Sequence, residues 1–432
     1  MSLPQNTTVL IVGAGPTGLA SALSLIHHGF KDFVIVDAVV EGDNSSRAIV
    51  VHAATLEALD MIGCGDELVS KGTKMTSVNF DTQTGALSRL PFDSLEPYTR
   101  HPYALVIPQT FTEYVLGQKA ADLGITVHRP HKVVGMKVSA VDTDLADITF
   151  EDGQVVTTRY VIAADGARST IRTIAGIGFV DPKDSPEHDS TTLVQLVPAD
   201  VTFDNPKLNI SNLSGVMSAN TYFFSVPLPF TFNEYLSRKT GKFIEDRIVR
   251  IACGVPVGEG PVPQAPSKAY IQNLIDKFDP LYLSSDPSAN PSGKGVCIKE
   301  VIWSSRELLS SSLATAAHIH SPVGGQGMNL GLRDAVFLGE VLAKHVKVTE
   351  SKPLSEADQI LTDFAAERRT RALKVIGFTK SLLSVGGTKD AVVAWWLPIS
   401  KVTLRDWVLW MVGKVYYLQR RVMWNFSGLG RR

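Results

Sequence analysis

The chain has 432 residues, 44% of them hydrophobic and 20% charged, which suits two or three folded domains of ordinary soluble composition. A net charge of −1 excludes a large electrostatic footprint for nucleic acid. Cys64, Cys253 and Cys297 stand far apart without metal-ligand spacing, so no metal is expected and they read as reduced thiols of a cytoplasmic protein. The opening MSLPQNTT has no basic or apolar signal region, and no apolar run reaches the length of a membrane span, so neither a secretory signal nor a transmembrane helix is expected.

The organising stretch is 8–38. Val9 to Val12 is a short apolar run, the pattern of a strand buried on both faces. Gly13-Ala14-Gly15-Pro16-Thr17-Gly18 follows at once. Leu19, Ala22, Leu23, Leu25 and Ile26 then recur at helical spacing, Gly29 ends the helix, and Phe33 to Val36 makes a second buried strand closing on Asp37 and Ala38. Gly13 permits a tight turn, Gly15 lets the backbone approach a pyrophosphate, and Gly18 lets helix and strand pack closely. The helix N-terminus that follows turns free N–H groups and a positive dipole end toward phosphate. Asp37 stands where an acid accepts hydrogen bonds from ribose hydroxyls. A glycine-rich turn without a ligand would leave the three glycines and Asp37 unexplained together.

Arg47 follows the second strand, placed either to reach a pyrophosphate or the ring edge of a cofactor or to lie solvated on the surface. Thr55 to Ile62 reads as a helix capped by Gly63, and Ser77 to Phe80 and the stretch around Leu87 as strands. Pro108-Gln109-Thr110-Phe111-Thr112-Glu113 opens a helix running to about Leu123, capped by Thr110 or Thr112. Strands are expected at Ile125 to His128 and Lys132 to Val138, then a meander through the Asp152-Gly153 turn. That meander ends in a strand running into Asp165-Gly166, followed by a helix with Arg168 and Arg172: a second strand-to-helix turn with charge at the ligand edge of an α/β sheet, or a plain connection.

From residue 185 to about 304 the chain reads as a mixed, sheet-rich insertion, with strands at Thr192 to Val197, Thr221 to Val226 and Arg247 to Cys253 and a helix at Ser267 to Phe278. Next, Ser321-Pro322-Val323-Gly324-Gly325-Gln326-Gly327-Met328-Asn329 opens a helix over Leu330 to His345, and a second helix spans about Ser355 to Leu383. Five of the six tryptophans follow residue 394: Trp395, Trp396, Trp407, Trp410 and Trp424. This tail is read as a helical appendage packing on the body or on a partner in a homodimer. Peripheral membrane contact through an interfacial helix is the sharper alternative.

The ordered trio GAGPTG, ADG and GGQGMN resembles the single-component FAD-dependent aromatic hydroxylases, the para-hydroxybenzoate hydroxylase-like flavin monooxygenases. The likeness covers residues 8 to 66, 103 to 182 and 316 to 375. It implies an α/β fold: a Rossmann-like, discontinuous FAD-binding domain (1–75, 103–184, 305–375), an inserted mixed-sheet substrate domain (76–102, 185–304) and a C-terminal helical segment (376–432). By the same resemblance Gly13, Gly15 and Gly18 hold the FAD pyrophosphate and Asp37 the adenosine ribose, with Pro16, Thr17 and Ala38 beside them. Arg47 lies near the pyrophosphate and the path of NADPH, Gln109 meets the ribityl region, and Asp165-Gly166 serves both FAD and NAD(P)H. Pro322 and the loop from Gly324 to Asn329 line the isoalloxazine, with the amides of Gly327, Met328 and Asn329 at its pyrimidine edge and Gly325 in the loop.

The implied reaction uses NAD(P)H to reduce FAD, adds O2 at the flavin C4a, and passes the terminal oxygen to an electron-rich phenol or enol, in secondary metabolism or aromatic catabolism. The resemblance does not identify the group that deprotonates the substrate; Tyr222, His318 and His320 are the candidates. It breaks at Ala314-Thr315, where the family has Gly-Asp, and the segment from Trp303 to Leu313 is short against the family pattern. A flavin-binding paralogue with weakened or lost hydroxylase activity is therefore the alternative, and a flavin dehydrogenase or oxidase acting on an alcohol or amine the third reading.

Overall fold

Val9, Leu10, Ile11 and Val12 have no polar neighbour to turn outward, and the strand they form, Asn6–Val12, lies inside a six-stranded sheet. The computed structural model describes the chain except residues 1, 42–47, 84, 179–192, 206–207, 209, 219–220, 279, 309–312, 315–317, 321–323, 389, 395–396 and 432. The sheet runs Val127–His128, Phe33–Val36, Asn6–Val12, Val155–Ala163, Ala146–Phe150, Val133–Val138. Its first four strands are parallel and the last two form the antiparallel meander. Val9 and Ile11 belong to the larger core, together with Leu23 of the helix Pro16–His27, Leu116 of the helix Gln109–Asp122 and Leu332 of the helix Gly327–Thr349. Leu10 and Val12 face the other way, with Val36, Ile148, Phe150 and Ile171. Burial on both faces is why this stretch shows no alternation, and each such side chain contributes roughly 1.5–3 kcal/mol.

The helix Pro16–His27 crosses Gly327–Thr349 at close range. Ser24 Oγ donates to the Val336 carbonyl at 2.6 Å, and a Cβ on Gly339 would fall 2.2 Å from Ser24 Oγ. This crossing brings the two helix starts to the same edge of the sheet.

A second sheet runs Ile298–Ser304, Leu193–Phe203, Val249–Pro256, Tyr222–Pro227, Leu213–Met217, Ser77–Asp81, Ala86–Pro91. The early hairpin of 77–91 thus joins strands from beyond residue 193, by the parallel pairing of Ser77–Asp81 with Leu213–Met217. One face of this sheet packs on the helix Lys268–Phe278 through Val197, Val201, Phe223, Ile251 and Ile275. The opposite face carries Leu196, Tyr222 and Ala252, with Leu383 of the helix Leu354–Gly386 against them. That helix runs uninterrupted past residue 375.

The tail forms two helices, Lys401–Lys414 and Tyr416–Phe426, with Met423 and Leu429 buried in the main core. Phe426 stacks edge-on against His52 at 5.0 Å between centroids, and Ala54 N–H donates to the Ser427 carbonyl at 3.2 Å. The outer side leaves Trp407, Trp410, Tyr416 and Tyr417 exposed, while Trp395 and Trp396 lie outside the described residues. Among the described residues no helix is long and apolar enough to cross a membrane.

Candidate cofactor-binding site

A cavity of about 410 Å³ opens at the carboxyl edge of the six-stranded sheet. Its walls bring together Gly13, Gly15, Pro16 and Thr17; Asp37 and Ala38; Gln109 and Glu113; Asp165 and Gly166; and Gly327 and Met328. These five segments are distant in sequence and converge because each follows a strand or opens a helix at that edge.

Two helix starts point into it. Gly15 precedes Pro16–His27, Gln326 precedes Gly327–Thr349, and neither start carries a side-chain cap. Their first-turn amides therefore face the cavity with the positive ends of two dipoles. Gly13 has φ +103, and a Cβ there would sit 2.4 Å from the Ala164 carbonyl oxygen. A Cβ on Gly18 would fall 1.8 Å from the Gly13 carbonyl oxygen, so Gly18 packs helix on turn and does not line the cavity. At Gly15 a Cβ would meet just one atom within 4 Å, Glu113 Oε1 at 3.9 Å. The space above Gly15 is a cradle that a side chain would fill, the geometry a diphosphate needs.

Asp37 lines the cavity but also braces the turn: Oδ2 accepts Ala14 N–H at 2.7 Å and Oδ1 accepts Val39 N–H at 3.0 Å. Arg129 stands behind it, its Nη2 3.7 Å from Asp37 and donating to the Ala14 carbonyl. Asp165 Oδ2 accepts the N–H groups of Thr170 at 2.7 Å and Ile171 at 3.1 Å at the start of the short helix Thr170–Ile174, which Ser169 caps. Its carboxylate is therefore bound to its own chain at the cavity wall. Gln109 heads its helix and donates from Nε2 to Glu113 Oε1 at 2.9 Å. The helix begins after Pro108 without a side-chain cap, so neither Thr110 nor Thr112 caps it; Thr112 Oγ1 donates instead to the Pro108 carbonyl.

Asn329 and Gly325 sit outside the cavity lining. Asn329 Nδ2 donates to the carbonyls of Val50 and Gly325, and its Oδ1 accepts His52 N–H at 2.8 Å. Its side chain fixes the loop that presents Gly327 and Met328. Gln326 is held likewise, donating from Nε2 to the Phe426 carbonyl at 2.9 Å. The tail thus clamps the same loop, a link that local sequence pattern does not signal.

His318 Nε2 hydrogen-bonds Asp334 Oδ2 at 2.8 Å, and Arg368 Nη1 reaches the same carboxylate. That cluster ties His318 to helices Gly327–Thr349 and Leu354–Gly386. Tyr222 is buried between the second sheet and Gly386. Neither His318 nor Tyr222 lines the cavity. Arg47, Thr315 and Pro322 lie outside the described residues, as does the side chain of His320. Ala314 pairs with Ile319 in a two-stranded ribbon apart from the main sheet. Among the described residues Tyr160 to Ala163 pair with Asn6–Val12 alone, because the meander's register stops at Thr158.

Residues that sequence pattern alone did not assign also line the cavity: Glu113, His131, Lys132, Val133 and Thr170. Glu113 had a local signal, standing four residues after Gln109 on the same helical face. The cysteines stay outside it, and burial pushes the Cys64 thiol up to about 11, leaving it unreactive at neutral pH.

The family described as "FAD binding domain" matches residues 6–225 and 315–379, more than half of the chain. The 12-dehydrotetracycline 5-monooxygenase/anhydrotetracycline 6-monooxygenase of Streptomyces rimosus is 31% identical over 384 residues, covering 86% of this chain and 68% of that protein. The rifampicin monooxygenase of Streptomyces venezuelae is 28% identical, covering 88% and 72%. Among solved structures, the anhydrotetracycline hydroxylase of Streptomyces rimosus superposes with a TM-score of 0.69 at 25% identity, covering 99% of this chain and 77% of that one. The chain belongs to the FAD-binding family of flavin-dependent aromatic monooxygenases. It is an FAD-dependent monooxygenase, in a family whose usual reductant is NAD(P)H.

Proposed function

We propose that this chain hydroxylates an electron-rich aromatic or enolic small molecule with O2 and NAD(P)H, holding FAD in the cavity at the sheet edge. The observation that carries this reading is the cradle above Gly15, with two uncapped helix starts opening onto one cavity. Bound FAD supplies the hydride acceptance and oxygen activation that no amino acid offers. The protein's part is to bind, orient and exclude water. Backbone N–H groups of Gly15 and Thr17 would take the diphosphate. Asp37 takes the adenosine ribose, and Gln109 the ribityl chain. The amides of Gly327 and Met328 would hold the pyrimidine edge of the flavin, where the positive end of the helix dipole favours negative charge. In this reading the cofactor part comprises 1–75, 103–184 and 305–375 and the substrate part 76–102 and 185–304. The relatives' names point to polycyclic aromatic substrates for those proteins, and the aromatic face around Tyr222 and Phe224 suits a flat apolar ring system here.

The test is NAD(P)H oxidation by purified, FAD-loaded protein against a library of phenols and polycyclic enols. A substrate that stimulates oxidation and gains one oxygen atom is the expected result; flavin reduction by an alcohol or amine without NAD(P)H would overturn it. Thr315→Asp restores the family's carboxylate and should raise FAD affinity roughly ten- to a hundredfold, the worth of one charge-assisted hydrogen bond. If activity appears only in that variant, the weakened-site paralogue is the better description of the natural chain.

A further inference from the structure

Glu113 faces the cavity from the helix Gln109–Asp122 and has no role in the reading above. Its Oε1 accepts from Gln109 Nε2, and the same oxygen lies 3.9 Å from the position of a Cβ on Gly15. The carboxyl therefore looks across the cradle assigned to diphosphate. Other charged groups surround it. Asp37 and Glu41 come from the second strand and the loop after it, Arg129 from the loop behind Asp37, Lys239 and Tyr235 from the helix Phe230–Thr240, and Tyr114 from its own helix. His131, Lys132 and Asp165 stand on the cavity walls. The two nearby cations are turned elsewhere, Arg129 to the carbonyls of Ala14 and Val39 and Lys239 to Glu41. Among the described residues no cation reaches ion-pair distance of Glu113.

An ionised carboxylate so placed would confront the like charges of a diphosphate without a compensating cation. A carboxylic acid in the same place is a donor. We propose that Glu113 binds FAD as a neutral acid, held by Gln109 and donating its acid O–H to the cofactor's diphosphate. FAD binding then takes up a proton from solvent wherever Glu113 is ionised in the free protein. The inference rests on the FAD reading of the cavity. Burial, reinforced by Asp37, already raises the carboxyl above its ordinary range, against the opposing pull of Gln109, Arg129 and Lys239.

The sign follows from linkage. Bound diphosphate raises the acid's pKa further, so affinity is greatest below the free-protein value. It falls as pH rises through that value, by up to about tenfold per pH unit.

The experiment is titration of the apoprotein with FAD, read by quenching of flavin fluorescence from about pH 5.5 to about pH 9. Calorimetry in buffers of different ionisation enthalpy counts the protons. Wild type should weaken with rising pH and take up close to one proton per FAD across the sloping region. Glu113→Gln, which keeps a donor but cannot titrate, should bind with the low-pH affinity of wild type at every pH, without proton uptake. Glu113→Ala should be equally flat and about tenfold weaker. A pH-independent wild type, the same slope and proton count in Glu113→Gln, or Glu113→Gln binding far more weakly than wild type throughout would each overturn the proposal while leaving FAD in the cavity. Failure of all three proteins to bind FAD would overturn the cofactor reading itself, and this inference with it.

Discussion

Gly15→Val should leave the protein folded and strip it of flavin. The backbone at Gly15 has φ −74 and ψ −171, which any residue adopts, and the space beyond its Cα holds no protein atom closer than Glu113 Oε1. The valine side chain would occupy the cradle and hold the diphosphate away from the helix start. Loss of two charge-assisted hydrogen bonds, about 1.5–3 kcal/mol each, weakens FAD by roughly a hundredfold or more. The visible spectrum of the purified variant and its thermal unfolding check the two halves of this expectation. The neighbouring glycines make the control. Gly13→Ala and Gly18→Ala drive a Cβ into backbone, at 2.4 Å and 1.8 Å, so both should lower stability as well as flavin content. A yellow, FAD-replete Gly15→Val protein would remove this turn from the cofactor site.

Asp200→Ala should cost about 3–5 kcal/mol of stability, the usual consequence of leaving one partner of a buried ion pair uncompensated. Asp200 and Arg250 lie on neighbouring strands of the second sheet, paired across the ladder, with both side chains almost fully buried. The guanidinium is bidentate, with Nε and Nη2 on the two carboxylate oxygens, and Trp303 stacks on it 4.8 Å from the ring centroid. Removing the carboxylate takes away the bidentate anionic partner of a buried cation. The double variant Asp200→Leu/Arg250→Met removes both charges and should recover most of the loss, because a buried pair contributes little beyond a well-packed apolar substitute. Denaturant unfolding of the three variants separates these outcomes. A single variant as stable as wild type would mean that water reaches the pair.

Much of the cavity lining could be read from sequence, because its parts are short and local. A buried strand, a glycine turn and a helix start occupy consecutive residues, so Gly13, Gly15, Thr17 and Asp37 could be placed before any fold was known, as could the Asp165 and Gly327 turns. Local pattern could not say what each side chain does once the turns meet. Asp165 serves its own helix, Asn329 stitches the loop to Val50 and His52, and His318 joins two helices. Nor could it bring Glu113 to the cavity that His131 and Lys132 line, since two separate chain segments supply them.

By itself the sequence determined the family and the strand–turn–helix units, all properties of neighbouring residues: apolar runs, glycine and helical spacing. Tertiary structure alone decided the pairing of the 77–91 hairpin with the strand at 213 and the clamp of Phe426 on His52 and Gln326. It also decided the burial of the Asp200–Arg250 pair and the carboxyl opposite Gly15. These depend on which distant surfaces exclude water from one another, and that is settled only when the two sheets and the tail pack together.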